Sequence, residues 1–246
     1  MAGEKIKVGP VSYLNTKPLI YGFEQGLMKE EITLVAGYPS AIAQQLIDHT
    51  IDIGLVPVAI IPRLPRHFII GSHCIGATQE VASVSLFSDV PLEAIKTVLL
   101  DYQSRTSAAL LKILMRDHWK ISPEIIQGEP GYEEKIGGTT AGLVIGDRAF
   151  AIKNRHPFDY DLAAAWISMT GLPFVFAAWV SNKPMEASFI KAFDEANAMG
   201  FSHLDAIIAA YPHAGYDLRE YYTNNISYTL DDAKRAGMKK FLSLLS

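Results

Sequence analysis

A short apolar strand, Ile6 to Val11, runs straight into the polar turn Ser12-Tyr13-Leu14-Asn15-Thr16, and Pro18 follows at once. Proline fits the first turn of a helix, where its missing N–H has no partner to lose. Asn15 and Thr16 are the residue types that cap such a helix. The stretch therefore reads as strand, turn, helix. The free N–H groups at a helix start carry positive potential, and open α/β folds place small anionic ligands against them. An ordinary capped connection has the same spacing, so a binding turn and a plain loop both fit at this point.

The alternation continues. Ile32–Ala36 reads as a strand, Ser40–Asp48 as a helix capped by Ser40, and Ile53–Val56 as a strand stopped by Pro57. A brief helix over Val58–Leu64 follows. This βαβαβ run predicts a parallel sheet with helices on its faces. Phe68–Ile75 and Val81–Phe87 read as longer strands. After Pro91 the pattern begins again: strand Thr97–Leu100, helix Ser107–Trp119, strand Pro123–Ile126, short helix Tyr132–Ile136, strand Gly142–Ile145 and helix Asp147–Lys153. Phe174–Val180 is a β-rich run, and the rest is mainly helical.

Two blocks of this kind predict two α/β lobes. Residues 1–88 with 175–246 would form lobe one and residues 89–174 lobe two. Val81–Ser88 and Phe174–Ser181 would be the paired crossovers, acting as a hinge with the ligand cleft between the lobes. A single doubly wound sheet fits the same pattern.

Composition narrows the function. A net charge of −4 with no Lys/Arg run argues against nucleic acid as a partner. No apolar run is long enough to span a bilayer. The first residues lack an apolar leader, so a soluble, cytoplasmic protein is expected. The single cysteine, Cys74, excludes an internal disulfide and reads as a small buried apolar residue. The seven histidines show no HExxH spacing, and there is no GxGxxG after a strand, no Walker loop and no GxSxG elbow. No metal site is expected.

A second polar cluster, Asp101-Tyr-Gln-Ser104-Arg105-Thr106-Ser107, follows the strand Thr97–Leu100 and opens a helix. Its hydroxyls and backbone N–H groups suit a carboxylate or phosphate, and Arg105 can add a bidentate contact. With the Ser12–Thr16 turn it would aim two helix starts at one cleft, which suits a substrate bearing two acidic groups. Ser83 lies between apolar Ala82 and Val84, either facing the ligand or filling space. Asp147 follows a strand through Gly146, either as a base or as a helix cap.

The motifs VSYLNTKPL (11–19), IDIGLVP (51–57), VSLFS (84–88), SRTS (104–107), LVIGD (143–147), TGLPFVFAAW (170–179) and ISY (226–228) occur in this order. Across nearly the whole chain the sequence resembles the chorismate dehydratase family of the futalosine route to menaquinone. Where that family often has a small serine before SRTS, this chain has Gln103. A sister lyase of the pathway, acting on a cyclic dehypoxanthine futalosine, carries a His beside the acid where this chain has Gly146-Asp147.

The resemblance implies a two-lobed type II periplasmic-binding-protein-like fold with two crossover hinge strands. It implies dehydration of chorismate to 3-[(1-carboxyvinyl)oxy]benzoate, with no cofactor. The expected catalytic groups are Asn15, Ser83 and Asp147. The expected substrate contacts are Ser12, Tyr13, Leu14, Thr16, Ser40, Pro57, Ser104, Arg105, Thr106 and Ser107. The expected partner is the small dicarboxylate alone, on a monomer or weak homodimer. A non-catalytic binder of small aromatic acids and the sister lyase are the competing readings.

Overall fold

The computed structural model describes residues 4–212 and 215–245. Eleven strands form two sheets among these residues. They are β1 (Ile6–Gly9), β2 (Ile32–Leu34), β3 (Ile53–Pro57), β4 (Phe68–Ala77), β5 (Val84–Ser88), β6 (Thr97–Leu100), β7 (Glu124–Gln127), β8 (Thr140–Ile145), β9 (Phe158–Asp161), β10 (Phe174–Ser181) and β11 (Ser227–Thr229). The first sheet has the order β11-β4-β10-β3-β1-β2 and the second β7-β6-β8-β5-β9.

Each sheet has a parallel side that runs to one edge, β3-β1-β2 in the first and β8-β6-β7 in the second. Antiparallel strands complete them: β10 beside β3 and β4, and β5 beside β8 and β9. β3, β5 and β10 are buried at every position. For β3 and β10 that matches their apolar runs, since strands covered on both faces lose the in-out alternation, while β5 buries Ser85 and Ser88 as well.

The helices that matter here are α1 (Lys17–Glu24), α2 (Pro39–Ile47), α3 (Arg105–Ile113), α4 (Asp147–Ile152) and α5 (Leu162–Thr170). Several boundaries differ from expectation, α3 among them, which opens at Arg105 rather than Ser107 and passes into a π-helical turn at Leu114. α1 ends four residues early, because the chain turns through Gly26 at φ +93. α2 starts at Pro39, so Ser40 lies inside the first turn and is not its cap. Neither Asn15 nor Thr16 caps α1 with its side chain; a 3-10 turn, Leu14–Thr16, leads into the helix instead.

β5 pairs only within the second sheet and β10 only within the first. The chain therefore changes sheet before Val84, earlier than the boundary at 88 read from the sequence. β9, α5 and β11 carried no element assignment in that reading.

Asp161 secures this change of sheet. Its Oδ1 accepts the N–H groups of Ala163 and Ala164 at 2.9 Å, capping α5. Its Oδ2 accepts the N–H groups of Val81 and Ala82 at 2.9 and 2.8 Å. The linker before β5 is thus tied to a helix start in the second lobe. Ala82 sits in the left-handed region at φ +61, a conformation that costs a side-chain-bearing residue energy unless its surroundings hold it.

Candidate active site

The cleft lies where the two sheets meet. It encloses about 520 Å³ of empty space, counted out to its mouth. The first lobe supplies Val11, Tyr13 and Asn15 after β1, and Pro57 at the end of β3. Ser83 comes from the linker and Val84 from the start of β5, Ser104 and Ser107 from the start of α3, and Ile145 and Gly146 from the end of β8. Phe176 and Ala177 of β10 form an apolar wall. Gly146, at φ +63, lets the chain turn from β8 into α4 with its Cα face against the Tyr13 ring.

Six of the expected residues line this cavity: Tyr13, Asn15, Pro57, Ser83, Ser104 and Ser107. Ser104 caps α3, its Oγ accepting the Ser107 N–H at 3.1 Å while its own hydroxyl donates to Ser107 Oγ at 2.8 Å. A buried helix start with two hydroxyls thus faces the cavity.

The remaining expected residues do not line it. Ser12, Leu14 and Asp147 border a separate outer groove with Lys17 and Tyr211. Thr16 is buried behind the turn, its hydroxyl donating to Asn15 Oδ1 at 3.3 Å. Thr106 Oγ1 accepts the Ala59 N–H at 3.1 Å and so joins the lobes. Arg105 lies outside the lining, with Nη1 buried and unpartnered. Ser40 sits beside the lining residue Pro39 but is not itself part of the wall.

Asp147 is the first residue of α4. It accepts the Leu14 N–H and the Tyr216 hydroxyl, the latter at 3.3 Å. Burial raises its carboxyl above the ordinary range even against these two bonds. The lining described here contains no carboxylate, imidazole or amine; its one titratable side chain is Tyr13. Burial, and then the negative charge of Asp101, push the Tyr13 phenol far up, so it stays neutral.

Residues given no site role in the sequence reading complete the site. Tyr221 is fully buried and donates to Ser83 Oγ at 2.8 Å. Tyr222 donates to Leu14 O at 3.0 Å and Tyr228 to Asn15 O at 2.9 Å. The motif ISY had flagged Tyr228 by resemblance, without a role. Gln103 Oε1 accepts from Tyr13 and from Arg148 Nη2.

Two α/β lobes, joined by linkers and enclosing a cavity with neutral donors on both walls, define the periplasmic-binding-protein-like class. Solved structures agree on the fold. One from Archaeoglobus fulgidus has a TM-score of 0.76 at 15% identity, covering 98% of this chain and 96% of that one. A Candida albicans gene product with the generic periplasmic-binding-protein fold has a TM-score of 0.70 at 12% identity, over 99% and 90%. The periplasmic aliphatic sulphonate binding protein of Escherichia coli has 0.67 at 16%, over 98% and 86%.

A family model described as menaquinone biosynthesis matches residues 6–246, and the chain belongs to that family. A curated relative, the chorismate dehydratase of Thermus thermophilus, is 30% identical over 193 residues, covering 67% of this chain and 68% of its own. No helix among the described residues is long and apolar enough to cross a membrane.

Proposed function

We propose that this protein is a chorismate dehydratase, forming 3-[(1-carboxyvinyl)oxy]benzoate and water. The observation that carries the reading is the character of the cavity: neutral hydroxyl and amide donors on apolar walls. Such a site suits a doubly negative substrate whose own chemistry is strongly downhill. The family membership and the curated relative support the same reaction.

Chorismate carries a ring carboxylate, an enolpyruvyl carboxylate at C3 and a hydroxyl at C4. The C3–H and C4–O bonds break, a ring double bond forms between C3 and C4, and water leaves. Aromatisation drives the step, so the protein has to hold geometry and stabilise charge. Negative charge developing at C3 spreads through the ring diene onto the ring carboxylate. The Ser107 hydroxyl, whose oxygen accepts the Ser104 proton, and the free N–H groups of α3 are suited to hold that group.

In this reading the substrate's enolpyruvyl carboxylate removes the C3 proton. Asn15 and Ser83 donate to the departing C4 oxygen, which leaves as water once it takes the proton. One such donor contributes roughly 2.7–4 kcal/mol at the transition state. Asp147, engaged by Leu14 and Tyr216 outside the cavity, holds the Leu14–Asn15 turn.

The test is to incubate the pure protein with chorismate and to follow the ultraviolet spectrum while identifying the product by mass. Catalytic conversion to a benzoate lighter than chorismate by one water supports the reading. Binding of chorismate without turnover would make the protein a carrier instead.

A further inference from the structure

Asn15 and Ser83 reach the cavity from different segments, and each is held by the hydroxyl of a buried tyrosine late in the chain. Tyr221 opens a π-helical turn, Tyr221–Asn225, far along the chain, and its ring is packed edge-on against Phe150 at 5.1 Å and Tyr216 at 5.5 Å. Its hydroxyl has a single proton, which goes to Ser83 Oγ at 2.8 Å. Thr16 donates to Asn15 Oδ1 at 3.3 Å, so the amide oxygen is engaged by the turn and the NH2 group is left as the donor.

We propose that Tyr221 and Tyr228 are positioning residues, Tyr221 setting the direction of the Ser83 hydroxyl and Tyr228 holding the Asn15 turn. The bookkeeping of protons carries this. Ser83 Oγ accepts from Tyr221, so its own proton is left for the cavity. The bonds run Tyr221 O–H to Ser83 O–H, head to tail, and the first polarises the second. Tyr228 locks the Asn15 turn through Asn15 O at 2.9 Å. Without the Tyr221 hydroxyl, Ser83 can turn its proton away from the cavity, and one of the paired donors is lost.

This inference rests on the proposed roles of Asn15 and Ser83, and the experiment separates the two. Tyr221→Phe deletes one hydroxyl and keeps the ring. We expect kcat for chorismate aromatisation to fall about 10- to 100-fold, with KM within about threefold, in the range of one lost donor. In a Ser83→Ala background the same change should alter kcat by less than about twofold, because Tyr221 acts through Ser83.

Full kcat in Tyr221→Phe, alongside a large loss in Ser83→Ala, overturns the inference and leaves the site reading standing. Full activity in both Ser83→Ala and Asn15→Ala overturns both. If thermal unfolding shows that Tyr221→Phe does not fold, Tyr228→Phe carries the test. A kcat loss of about fivefold or more with KM held supports the inference, and wild-type kcat overturns it.

Discussion

Tyr13, in the turn after β1 of the first sheet, donates its hydroxyl to Gln103 Oε1, in the turn after β6 of the second. Arg148 donates to the same oxygen at 3.2 Å and pairs with the buried Asp101 at 2.6 Å and with Glu133. A cavity-lining residue of one lobe is therefore hydrogen-bonded into an ionic network of the other. We expect Tyr13→Phe to loosen the closed form. Steady-state kinetics should show KM rising roughly 3- to 10-fold, in line with one hydrogen bond of about 0.5–1.5 kcal/mol, and kcat within about twofold.

Asp161 accepts four backbone N–H groups, two in the linker before β5 and two at the start of α5. Asp161→Ala leaves all four without this partner. Loss of a helix cap alone costs roughly 0.5–2 kcal/mol, and a buried orphaned donor adds about 1–3. We expect the melting temperature to fall by about 6–12 °C, taking roughly 3 kcal/mol and the scaling for a chain of this size. Calorimetry on the variant checks this.

Asp147→Asn keeps an acceptor for the Leu14 N–H. Since Asp147 borders the outer groove and not the cavity, kcat should stay above about a third of wild type. Asp147→Ala removes both bonds to this side chain and should raise KM several-fold. Single-turnover and steady-state assays on the pair separate a base from a support.

The pH profile follows from the lining. Tyr13 is held neutral by burial, and the other lining groups do not titrate. The profile of kcat/KM should be flat from about pH 6 to 9, with a fall only at lower pH as the substrate carboxylate protonates. If Asp147 were the base, its burial-raised pKa would shift the acid limb upward, and activity would be lost as pH falls through that raised value. Titrating kcat/KM across this window distinguishes the two.

Much of this site was legible in sequence because its chemistry is local. The strand, polar turn and Pro18 between residues 6 and 18 announce a helix start, and Ser104 three residues before Ser107 is a cap signature that the structure repeats. What was hidden depends on distance or on missing contrast. Tyr222 reaches Leu14 and Tyr228 reaches Asn15 across 208 and 213 residues, which no local pattern encodes. α5, Leu-Ala-Ala-Ala-Trp-Ile-Ser-Met-Thr, is nearly all apolar and so shows little helical periodicity, although Asp161 was a readable cap. Asp147 stayed open between two roles because an acid at a strand end suits a base and a helix start equally well.

The most direct measurement compares wild type with Asn15→Ala in one assay, following chorismate conversion to 3-[(1-carboxyvinyl)oxy]benzoate at saturating substrate. Wild type should turn over, and the variant should lose about 10²- to 10³-fold in kcat while remaining folded. Equal turnover by the two, or no aromatic product from wild type, would contradict a reaction driven by donors fixed in this cleft.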